Sequence, residues 1–116
     1  MAVVSPVSQK LGQGTTVVTW TDVNTGDTVN HDALVGREGL AACVQMSSAS
    51  WGDTTVALRG SNDGTTWVTL KDLGGADISM TGDGLVEFST STLYVKPVPS
   101  GGAGSEDVLV TVVTRG

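Results

Sequence analysis

A helix has almost nowhere to form in this chain. The longest stretch without glycine runs from Leu85 to Ser100, and it carries Val86, Thr90, Thr92, Val95 and two prolines. Proline breaks a helix interior, and β-branched residues lose rotamer freedom there. The 116 residues include 18 Val, 16 Thr and 16 Gly, so the commonest side chains favour a pleated surface and the commonest punctuation is a turn. One domain of this length buries enough surface to need no staples.

Short apolar runs recur every eight to twelve residues or so, divided by turn chemistry. Thr15 to Thr21 is a β-branched run, and Asn24 to Asp27 is a turn. Residues 29–36 read as a short edge strand or a loop. From Leu40 to Met46 the pattern alternates, with Leu40, Ala42, Val44 and Met46 on one face. Thr54 to Gly60 and Thr65 to Leu70 flank Ser61-Asn-Asp-Gly64, where Asn, Asp and Gly all tolerate tight reversal, so a hairpin is predicted. Further strands fall at Ala76 to Met80, at Leu85 to Phe88, at Ser91 to Lys96 (stopped by Pro97 and Pro99) and at Asp107 to Thr114. The pattern predicts an all-β, antiparallel β-sandwich or jelly-roll fold of about eight strands.

Two segments look unfinished in isolation. Residues 1–13 read as an N-terminal arm before a sandwich domain over residues 14–116. Pro6 and small polar residues argue against a stable element there, yet Val3, Val4, Val7 and Leu11 are too apolar for a solvated tail. The last strand is apolar on both faces, with Val108, Val110 and Val112 on one and Leu109 and Val113 on the other. An antiparallel sandwich strand needs only one buried face. The arm residues Val3, Val4, Pro6, Val7 and Leu11, together with Leu109 and Val113, are therefore candidates for contact with another subunit.

Residues with catalytic chemistry are sparse. His31, the one histidine, stands beside Asp32 without a nucleophile in a recognisable motif. One His and one Cys (Cys43) do not make a zinc site, and no Asp-rich segment has the ligand spacing of a calcium loop. No cofactor and no enzymatic activity are expected. The net charge is −6, and the six basic residues are scattered singly, which argues against nucleic acid. No segment approaches the ~20 apolar residues of a membrane helix. The lone Cys43 excludes an internal disulfide, and the start of the chain lacks the pattern of a secretory leader, so a soluble protein of a reducing compartment is expected. Of three tryptophans, Trp20 and Trp67 fall in predicted strands and read as core. Trp51 falls in a Ser/Gly loop and is the candidate platform for a sugar ring.

The stretch from Leu58 to Leu70 resembles a hairpin of discoidin-type sandwiches and of many small phage virion proteins. The wider order is more specific: Val18 to Trp20, the Gly60 to Gly64 hairpin, Leu93 to Pro97, Gly101-Gly102 and the terminal Val108 to Val113 strand. Over Gly14 to Arg115 the chain is similar to the decoration, or cement, proteins of tailed-phage heads. The resemblance implies a β-sandwich, often a homotrimer, made in the bacterial cytoplasm. It would sit on the outer capsid surface and brace the major capsid protein between capsomers. The family carries no catalytic residues. The alternative reading is a carbohydrate- or receptor-binding module of a phage fibre, with Trp51 as its platform.

Overall fold

The computed structural model describes residues 2–12, 14–33, 41–90 and 92–115. Leu40, Ser91 and the end of the 29–36 segment, all part of the expectations above, lie outside these. The described chain contains no helix, and its twelve strands exceed the eight expected because five of them are two residues long. In chain order they are β1 (Val3–Val4), β2 (Val7–Gly12), β3 (Thr15–Val23), β4 (Thr28–Val29), β5 (Asp32–Ala33) and β6 (Ala41–Ser47). Then come β7 (Thr55–Ser61), β8 (Val68–Thr69), β9 (Ser79–Met80), β10 (Gly84–Phe88), β11 (Tyr94–Ser100) and β12 (Val108–Arg115).

Two sheets form the sandwich. The first is wholly antiparallel, in the order β10-β6-β12-β3-β2. The second runs β5-β11-β7-β8, with β9 also paired to β7. Alternation decides what each sheet buries. Val18 and Trp20 of β3, Val108, Val110 and Val112 of β12, and Val44 and Met46 of β6 point inward from the first sheet. Val56 and Leu58 of β7 and Val95 of β11 meet them from the second, and all belong to one apolar cluster. Trp20 is fully buried, and its indole N–H donates to the Asn30 carbonyl at 2.8 Å, so its polar edge is satisfied.

The predicted hairpin is present: β7 and β8 pair through Arg59 to Thr69 and Gly60 to Val68. Glycine at its shoulder leaves room for Leu70 and Thr92, whose side-chain atoms would lie within 2.7 Å of a Cβ on Gly60 and would have to shift. Two expectations change. The prolines do not stop β11, which continues through Pro97 and Pro99 to Ser100 against β7. Strand β5 covers β11 only at Tyr94 and Val95, so beyond them no described strand pairs with that edge, where proline is tolerated because a missing N–H costs no ladder bond. Trp67 is not core: it sits half-buried just before β8, on the outer side of the second sheet.

The segment read as an arm lies along the domain. Val3 and Val4 pair in parallel with Thr28 and Val29, and Val7 to Gly12 pair with β3. Val4 is buried in the core cluster, whereas every residue of β2 is exposed. Strand β2 therefore adds backbone pairing and little apolar burial. Where β3 meets β12, Thr21 and Asp22 face the single residue Leu109, a bulge whose Asp22 has φ 57°. Asn24 braces the end of this strand pair, donating to the Asp107 carboxylate at 2.7 Å and accepting from the Asp107 amide at 2.8 Å.

Candidate functional site

Both sheets present an outward face, and the two differ in chemistry. On the first sheet the register lines up two cross-strand rows. One runs Val7, Thr19, Thr111, Gln45, Leu85. The next runs Gln9, Val17, Val113, Cys43, Glu87. Glu87 is the single charge among these ten residues. Leu109 stands a step further along β12, opposite Ser47. Val7 is 69% exposed, Leu85 61% and Leu109 40%, so no described segment covers the face. Valine and threonine side by side across strands give a flat surface with few long, solvated side chains.

The expected contact residues divide on this frame. Val7, Leu109 and Val113 share the outward face of the first sheet. Leu11 is exposed at the irregular end of β2, Val3 is exposed in β1, Pro6 is half-buried between the two strands, and Val4 faces the core. Cys43 lies in the second row, where burial, and then the Glu87 charge, push its thiol above the ordinary range. Its thiolate is correspondingly scarce near neutral pH.

Trp51 departs from the platform expected of it. The ring is half-buried against the core cluster, and its indole N–H donates to Asp83 at 2.7 Å. Asp83 also accepts the Ser48 amide, and these two donors hold its carboxyl below the usual range. Trp51 thus ties the loop after β6 to the loop before β10.

The second sheet's outward face carries an aromatic cluster that includes Trp67, which the sequence reading placed in the core. His31 lies 4.6 Å from Tyr94 and 5.5 Å from Trp67 between ring centroids. Lys96 Nζ stands 4.5 Å above the Trp67 ring, within cation–π range. Lys96 faces Arg59 directly across β11 and β7. The loop presenting Trp67 is organised by Asp63, whose carboxylate accepts the Thr65 and Thr66 amides at 2.8 Å each and the Ser61 hydroxyl at 2.9 Å. The Thr66 amide, then the Thr65 amide and the Ser61 hydroxyl, lower its pKa to about 2. Sequence marked the tight turn here, but gave no sign that His31 and Tyr94, far apart in the chain, would meet Trp67.

Among the described residues no group of three or more His, Cys, Asp and Glu is placed to hold a metal ion, and no helix is long and apolar enough to cross a membrane. The Asp32 carboxylate beside His31 accepts the Ala33 amide at 2.8 Å. Comparison with protein-family models, curated proteins and solved structures finds no match to this chain. What the molecule offers chemically is two outward faces: one broad and almost uncharged, one small, aromatic and cationic.

Proposed function

We propose that the protein is a structural component of a phage virion, a capsid-decoration protein that docks on the outside of the head through the outward face of its first sheet. The observation that carries this reading is the near absence of charge across the rows from β2 to β10, with Val7, Leu85 and Leu109 left in water. Exposed, contiguous apolar surface of this kind marks an interaction site more often than a solvated face. The resemblance over Gly14 to Arg115 supplies the partner, the major capsid protein.

Magnitudes shape the mechanism. Five strands about 4.8 Å apart and an eight-residue central strand give roughly 500 Å² of projected face. A stable interface uses about 800 Å² per partner, so one copy attached by this face alone would be held weakly. Strand β2 offers the remedy, because no described strand pairs with its outer backbone edge, which could take a strand of a neighbouring subunit. Trimerisation would multiply modest contacts into firm attachment, as effective concentration does for any multivalent ligand.

The test is addition of purified protein to undecorated, expanded phage heads. Saturable occupancy at symmetric sites is expected, and the doubly substituted Leu109→Asp, Val113→Asp protein should bind at least about 100-fold more weakly, as expected when two desolvated side chains become charges. Absence of binding to any expanded head, or undiminished binding by the double variant, would overturn the reading.

A further inference from the structure

We infer that the cluster of Trp67, Tyr94, His31, Arg59 and Lys96 on the outward face of the second sheet is a binding site for an acidic sugar, a pyranose bearing a carboxylate. This site is separate from the docking face, since it lies on the opposite side of the sandwich, and it stands whether or not the protein decorates a capsid.

The cations give the first argument. Lys96 and Arg59 are directly opposed on neighbouring strands, an arrangement that is unfavourable for like charges. The ion pair found among the described residues joins Lys71 to Asp77, elsewhere on the surface. Arg59 Nε is buried and has no hydrogen-bond partner. On a chain with net charge −6, two adjacent positive groups with no carboxylate paired to them among the described residues form a local reversal of sign. An anionic ligand would relieve their repulsion.

The rings give the second. Two further rings gather around His31 beside these cations, Tyr94 at 4.6 Å and Trp67 at 5.5 Å, with His31 exposed and Trp67 and Tyr94 half-exposed. Aromatic surface next to a few polar groups is the usual make-up of a small-ligand site, and the C–H face of a pyranose packs on it. The Asn62 side chain lies exposed at the hairpin tip, with its carbonyl accepting the Leu93 amide at 3.0 Å. Its amide nitrogen is a donor for sugar hydroxyls.

Preorganisation is the third. Asp63 fixes the loop before Trp67 through three hydrogen bonds, all accepted by its Oδ1. Gly64 packs beside Tyr94 and His31, where even a Cβ would be in contact with both rings. A site already in shape loses less on binding. Two cations are too few for a nucleic-acid backbone, which requires a track of phosphate contacts.

The experiment titrates the full-length protein with a galacturonic acid trisaccharide and with sialyllactose, followed by the indole N–H resonances of the three tryptophans. A saturable shift of Trp67, with Trp20 and Trp51 unmoved, is expected for at least one of the two. Lys96→Glu and Trp67→Ala should each weaken binding by about tenfold or more, while Trp67→Phe stays within about threefold of the parent. Lys96→Glu changes a surface side chain, so it keeps the test informative if Trp67→Ala fails to fold. No shift with either sugar up to about 10 mM would overturn the proposal. Equal binding of neutral galactotriose would overturn the role of the cations, and equal binding of inorganic phosphate would overturn the sugar.

Discussion

The two outward faces of this sandwich rest on similar interiors and differ in almost everything else. Behind each lies the same apolar cluster, built mostly of Val around Trp20, Phe88, Met46, Leu58 and Ile78. In front, the first sheet shows rows of Val and Thr with one charge among ten residues, spread over five strands. The second concentrates three rings and two cations around the ends of β7, β8 and β11. Broad uncharged surface suits area-driven contact, and a compact polar-aromatic cluster suits a small ligand. One β-scaffold thus separates two kinds of surface by the parity of its strands.

The sharpest way to break this comparison uses two tryptophans that periodicity alone treats as equals. Trp20→Ala removes a fully buried ring and should cost about 3–5 kcal/mol of stability in chemical denaturation. Trp67→Ala removes a half-buried ring on the outer side and should cost about 1 kcal/mol. Equal losses would place both rings in the core and dissolve the second face.

A smaller effect tests the loop that holds that face. Asp63 has a folded pKa of about 2, below its ordinary 3.8, so the stability its ionised form contributes is complete above about pH 4 and is lost as pH falls toward 2. In Asp63→Asn the melting temperature should be lower at neutral pH and fall less steeply between pH 4 and pH 2. The carboxylate is fully exposed, so the change is expected to be modest. An unaltered acid slope would show that the Thr65 and Thr66 amides do not hold this group.

Much of the architecture was legible because it is written in local pattern. Alternation put Ala42, Val44 and Met46 on one face and Val108, Val110 and Val112 on another, and the structure buries all six. Ser61 to Gly64 announced its own turn. The misread residues are those whose position depends on distant partners. A period of two says that Trp67 and Leu70 lie on opposite faces, but not which face is inward. Here Leu70 packs on the core, so Trp67 points out. Strand β2 gave no side-chain signal because all six of its residues are exposed, and backbone pairing to β3 alone places it. The aromatic cluster joins positions 31, 67 and 94, which only the fold brings together.

The central claim, that the outward face of the first sheet is the docking surface, has a reporter built into the molecule. Cys43 is the sole cysteine and sits between Val113 and Glu87 in the second row of that face. The direct measurement is the rate of Cys43 alkylation by a small maleimide at mildly alkaline pH, in free protein and on saturated phage heads. Free protein should react slowly, as its raised thiol pKa requires, and head-bound protein at least about tenfold more slowly still. An unchanged rate on fully occupied heads would contradict the assignment of this face.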